Sequence, residues 1–150
     1  MFDDTHDLIQ QMMAAYADDA VSFARQVFSI ELNSSPDSIQ QVEFILDKLS
    51  RSVRRTWLKR LLRLGMSEEQ TDTVAKMFGG YIGEIIRKDK GGIWQIIASP
   101  TGEGDVVALV NGEDKIFPPA KAYKRLVNGD EDNVWFYYQV LMSGEVYGSR

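Results

Sequence analysis

The 150-residue chain has no cysteine, one histidine and four prolines. Without thiols it can form no disulfide scaffold, no thiolate nucleophile and no cysteine-ligated zinc or iron–sulfur site. The one histidine, His6, stands beside Asp3, Asp4 and Asp7, so a histidine-dependent nucleophilic triad would have to recruit this residue. Those acids are read as helix-start residues rather than metal ligands, since carboxylates favour the positive end of a helix dipole. No apolar run approaches the roughly 20 residues that cross a bilayer, and the first residues are acidic where a secretory leader is basic. A cytoplasmic protein with no membrane partner is therefore expected.

Acids are missing from one stretch in particular. Lys48 through Arg63 holds seven basic residues and no acidic one. The whole chain carries −5 and this stretch +7, which leaves the remainder at −12. The charge is polarised along the sequence. A hydrophobic content of 44% with 26% charged residues suits one globular domain over residues 1–150, large enough to bury roughly 70% of its unfolded surface.

Leu8, Met12, Tyr16, Ala20, Phe23 and Val27 recur at helical spacing after Asp4 and Thr5, which can cap the first turn. Ser35-Pro36-Asp37 supplies a cap, a proline suited to a first turn and an acid, and predicts a second helix. Its apolar face runs Ile39, Val42, Leu46, Leu49, Val53, Trp57 and Leu61, ending at Gly65. Ser67-Glu-Glu-Gln70 reads as a capping box that opens a third helix near Glu68. Beyond Gly91-Gly92, Ile93–Ile97 and Val106–Val110 are rich in β-branched residues and predict strands. Asn111-Gly112 should turn the chain tightly into a third strand over Lys115-Ile116-Phe117. A short helix through Ala120, Tyr123 and Leu126 should stop at Asn128-Gly129. Residues 132–143 then read as a last helix, with Val134–Tyr138 open to a strand instead. The expected fold class is α+β: three N-terminal helices, a small antiparallel three-stranded sheet and one or two C-terminal helices.

Lys48, Arg51, Arg55 and Lys59 fall on one side of the second helix, spaced for a phosphate backbone or for pairing with acids elsewhere in the chain. Leu58 and Leu62, with Phe44, lie near that basic side, a mixture that suits a protein-binding surface. Arg60 falls on the apolar side of the same helix and needs a carboxylate there, with Glu84 as candidate partner. A structural ion pair is favoured over a catalytic carboxylate for Glu84. Residues 128–133 carry oxygen ligands but lack calcium-loop spacing, so a turn and helix cap is the plainer reading. Gly102-Glu-Gly104 matches no nucleotide loop.

Five glycines punctuate Gly79 through Trp94. Each would cost about 0.5–1 kcal/mol against alanine inside a helix. Gly79 and Gly83 should therefore admit a neighbour onto a second face of helix three, and Gly91 and Gly92 should end it and launch the Trp94 strand.

The run Gly79-x-x-x-Gly83-Glu84, then Gly91-Gly92-x-Trp94, Phe117-Pro118 and Lys124-Arg125-Leu126-x-Asn128-Gly129 resembles a pattern of small uncharacterised bacterial α+β domains, over residues 66 to 143. Some of these are encoded near secreted-toxin genes. The resemblance implies an immunity or interaction protein and carries over no catalytic or binding residue. The functional expectation is a non-enzymatic protein-binding domain without a cofactor. The alternatives are a small enzyme that uses Glu84 in a pocket, or nucleic-acid binding through the basic face of helix two.

Overall fold

A computed structural model describes residues 4–54 and 66–144, with the backbone alone for 53 and 54. Five helices and one three-stranded antiparallel sheet are present among the described residues, an α+β fold. Helix α1 spans Asp4–Phe28, α2 Ser38–Arg54 and α3 Glu68–Lys90. Strands β1 (Ile93–Ala98), β2 (Asp105–Asn111) and β3 (Asp114–Ile116) follow in sheet order β1-β2-β3. Helix α4 (Pro118–Asn128), a 3-10 turn (Asp130–Asp132) and helix α5 (Val134–Ser143) complete the described chain.

Helix α3 is the centre of the fold because almost every residue from Val74 to Ile86 is buried, whichever way it points. Its start follows from its first residues: Ser67 Oγ accepts from Gln70 N–H, and Gln70 Oε1 accepts from Ser67 N–H. Such all-round burial requires neighbours on both sides. Against α1, a Cβ on Gly80 would stand 3.1 Å from the Met13 carbonyl oxygen and 3.2 Å from Tyr16 Cβ. On the other side, Gly79 lies against the backbone of Pro118 and Pro119 at the start of α4, and Gly83 lies under the Trp94 ring. Both predicted contacts of the second face are thus made by backbone or by a large ring.

At the end of α3, Gly91 N–H donates to Arg87 O at 2.8 Å, and Gly91 and Gly92 both take positive φ (84° and 120°). Few other residues adopt that backbone without strain, so the chain turns there into β1. Trp94 is buried, with Leu109 opposite it on β2 and Ile116 opposite Leu109 on β3. These three side chains join the sheet to the helical core.

The hairpin is displaced by one residue from its sequence reading. Asn111 pairs with Asp114, so Gly112-Glu113 are the two turn residues and β3 covers Asp114–Ile116 instead of 115–117. Gly112 takes φ 64° and Glu113 is not among the positive-φ residues. That combination needs glycine only at the first turn position, which draws the strand pairing back by one. Phe117 leaves the strand to precede α4, whose first turn holds Pro118 and Pro119. Residues 134–143 form a helix, because Asn133 Oδ1 accepts from Phe136 N–H and Gly144 takes the left-handed conformation at the other end.

Candidate functional site

A cleft of about 1140 Å³ is lined by α1, the start of α3, the β1–β2 strands and α4. Its floor is largely apolar: Met12, Met13 and Tyr16 from α1, Ala75 from α3, Val107 from β2, and Pro119 and Tyr123 from α4. Ile96 of β1 borders it with half of its surface exposed. The rim carries Glu68, Glu69 and Asp72 from α3 and Asp105 from β2, against Lys76 and Lys124. Four acids against two lysines leave the lining at −2. Asp72 and Lys76 are already paired at 2.8 Å, an i,i+4 contact that raises the lysine pKa through its hydrogen bond. Glu68, Glu69 and Asp105 therefore outweigh the remaining Lys124. An apolar floor with an acidic rim of this size suits a segment of polypeptide with basic side chains.

Strand β1, whose Ile96 lines the cleft, is also an outer edge of the sheet. At Trp94 this edge is closed by a side chain: Gln10 Nε2 donates to Trp94 O at 2.7 Å, and Trp94 N–H donates to Gln10 Oε1 at 3.1 Å. The primary amide thus stands where the peptide group of another strand would be. The opposite edge, β3, is three residues long and carries Asp114 and Lys115, a form that resists pairing with a further chain.

Most of the residues singled out from the sequence lie away from this cleft. Glu84 does not line it; its side chain is 14% exposed and bonds Arg87 (Nε to Oε2 2.6 Å) and the Trp94 indole (Nε1 to Oε2 3.1 Å). The carboxylate raises the Arg87 pKa, chiefly through that hydrogen bond. Lys48 stands 5.2 Å above the centre of the exposed Phe44 ring, and Arg51 pairs with Asp47 at 3.1 Å, so the described part of the α2 stripe is partly engaged within its own helix. Arg55, Leu58, Lys59, Arg60 and Leu62, and the predicted end of α2 at Gly65, lie outside the described residues. No lining residue of the cleft comes from α2.

The principal buried charge is one the sequence reading passed over. Arg125 of α4 is fully buried and donates to Glu43 (2.9 and 2.8 Å), to Asp47 (2.9 Å) and to Asp130 (3.1 Å). Glu43 also accepts the Val134 N–H at 3.0 Å, so this carboxylate joins α2 to α4 and to the start of α5. Burial disfavours the charged guanidinium, but the bonds to Glu43 and Asp47 outweigh it and its pKa is raised. The spacing of Arg125 three residues from Ala122 in the same helix was the available signal.

Two carboxylates near this cluster are held below their ordinary pKa. Asp47 is lowered first by the hydrogen bond from Arg125; at Asp132 burial pushes upward, but bonds from Lys121 and Asn128 prevail. Groups with depressed folded-state values stabilise the protein above their unfolded pKa, and that stability is lost as pH falls through the folded values. Urea unfolding midpoints are expected to fall below about pH 4, and to fall less steeply after Asp47→Asn. Coincident acid limbs for the two proteins would contradict this assignment.

Residues 128–133 form the α4 cap and the 3-10 turn, and among the described residues no group of three or more acidic, histidine or cysteine side chains is placed to hold a metal ion. No described helix is long and apolar enough to cross a membrane. Comparison with protein-family models, curated proteins and solved structures finds no match.

Proposed function

We propose that this protein is a non-enzymatic binding domain whose cleft takes a basic segment of a partner protein. The observation that carries this reading is the pairing of an apolar floor with an acidic rim in one recess, lined by α1, α3, α4 and the strands β1 and β2. Apolar contact supplies affinity in such a site, and the rim selects charge and speeds encounter. The surroundings of Glu84 support the non-enzymatic part: its carboxylate is committed to Arg87 and Trp94, away from the recess where a substrate would sit. A cytoplasmic setting fits a chain without cysteine. Neutralisation of a basic toxin is the finer form of the proposal. What supports it is the resemblance of residues 66 to 143 to small bacterial domains, some of which are encoded near secreted-toxin genes.

Selection of random peptides on the full chain tests the proposal. Enriched sequences are expected to interleave Lys or Arg with apolar residues. Their affinity should fall at least tenfold for the Glu68→Gln, Glu69→Gln, Asp105→Asn triple variant. The two α3 substitutions also weaken favourable contacts with the helix dipole, by about 0.3–1 kcal/mol each, so the thermal midpoint should drop by a few degrees only. Enrichment of acidic peptides, or of peptides indifferent to the triple variant, would sink the proposal.

A further inference from the structure

We infer that the partner segment binds as an added β-strand, hydrogen-bonded to the outer edge of β1 at Ile96 and Ala98. This inference rests on the cleft reading above and adds how the segment is held. In an antiparallel pair, alternate residues of an edge strand direct both N–H and C=O away from the neighbouring strand. Trp94 directs both of its groups outward, since Gln10 takes both. Ile96 and Ala98, two and four residues along the same strand, therefore direct theirs to the same outer side, the first about 7 Å beyond the Gln10 amide.

Neither residue has a hydrogen-bond partner on that side among the described residues. Among the described residues this edge is closed at Trp94 by Gln10 of α1 and is left unpaired at Ile96, which lines the cleft, and at Ala98. An exposed edge strand is an invitation to pairing with another chain, and proteins usually blunt it with charge, shortness or a bulge. β3 is blunted in this way, being short and charged. β1 is six residues long, has no charged residue and exposes Ile93 and Ile96 at 42% and 50%. Ile96 of this strand also lines a recess with room for side chains.

The same geometry sets the chemistry of the occupant. Side chains of an added strand alternate between its two faces, so one set would meet the apolar floor at Met12, Tyr16 and Tyr123 and the other the rim and solvent. The net −2 of the lining, with Glu68, Glu69 and Asp105 outweighing Lys124, favours Lys or Arg in the second set. The occupant is thus an extended segment in which apolar and basic residues alternate. Main-chain hydrogen bonds would give it affinity in any sequence, and the floor and rim would select the pattern.

The probe is a synthetic octapeptide of alternating lysine and valine, titrated into ¹⁵N-labelled full chain and followed by amide chemical shifts. The expected result is saturable shifts at Ile96, Ala98 and the cleft residues, with amide exchange at Ile96 slowed at least tenfold. N-methylation of every lysine, or of every valine, blocks one edge of the peptide or the other. One of these two peptides should bind at least tenfold more weakly than the other. Ile96→Pro removes an N–H that makes no bond within the sheet and should weaken binding at least tenfold, whereas Ile96→Val should retain it. Cleft shifts that persist with equal affinity for both methylated peptides would overturn strand addition and leave the cleft reading standing. Absence of any shift in the cleft at millimolar peptide would overturn both.

Discussion

Arg125→Met is expected to lower the unfolding free energy by about 3–5 kcal/mol, because it removes the cationic member of a buried cluster and leaves its acids behind. The Arg125 side chain is fully buried, while those of Glu43 and Asp47 are only 15% and 22% exposed. Without the guanidinium, two carboxylates on successive turns of α2 would repel each other while still largely desolvated. Glu43 would retain the Val134 N–H, so the damage should centre on the α2–α4 contact. Chemical denaturation of the full chain gives the measurement, and a loss below about 1 kcal/mol would show that the cluster contributes little. Among the described residues, Arg125 Nη1 is buried without a hydrogen-bond partner. Removing all three charges together, as Glu43→Leu, Asp47→Leu, Arg125→Met, should therefore recover most of the stability that the single substitution loses. Failure to recover it would indicate that geometry specific to the ionic cluster holds these helices.

Gly79→Ala is the second large effect. The new methyl group would overlap the Pro119 Cα and N, which are backbone atoms of α4 and cannot rotate away. Alanine would favour the helix by about 0.5–1 kcal/mol. Overpacking against a rigid neighbour costs typically about 1–3 kcal/mol and sometimes more, so the net result is expected to be destabilisation by about 2 kcal/mol. For a chain of this length that corresponds to a thermal midpoint lower by roughly 4–8 °C. A midpoint that rises, as propensity alone would have it, would show that α3 and α4 do not approach closely at this residue. Gly83→Ala meets the Trp94 ring instead, and should also weaken the indole bond to Glu84 as the ring is displaced.

These cases show where sequence patterns were informative and where they were not. Gly79 and Gly83 stood out because they interrupt an apolar helix, and both proved to be places where another element approaches the α3 backbone. The Ser67–Gln70 box and the Gly91-Gly92 stop are set by residues three or four positions apart, and the ends of α3 fall there. The third strand slipped by one residue because turn type depends on the φ of Glu113, which no propensity reports. The burial of Arg125 was not legible because its partners Glu43 and Asp47 lie about 80 positions earlier in the chain. The cleft was illegible for the same reason: Met12, Glu69, Val107 and Tyr123 have no pattern in common until α1, α3, β2 and α4 are brought together.

Taken alone, the sequence determined the class of fold, the central helix with its caps and its close-approach glycines, and the absence of thiol chemistry. Each of these depends on short-range spacing, backbone freedom or composition, all carried by neighbouring residues. Tertiary structure decided that Glu84 is tied to Arg87 and Trp94, that Arg125 is a buried cation joining α2 to α4, and that Ile96 of β1 shares a recess with Glu68, Glu69 and Asp105. Charges and hydrogen-bonding groups act through space over a few ångströms, so their partners are known only once the chain has brought distant segments together.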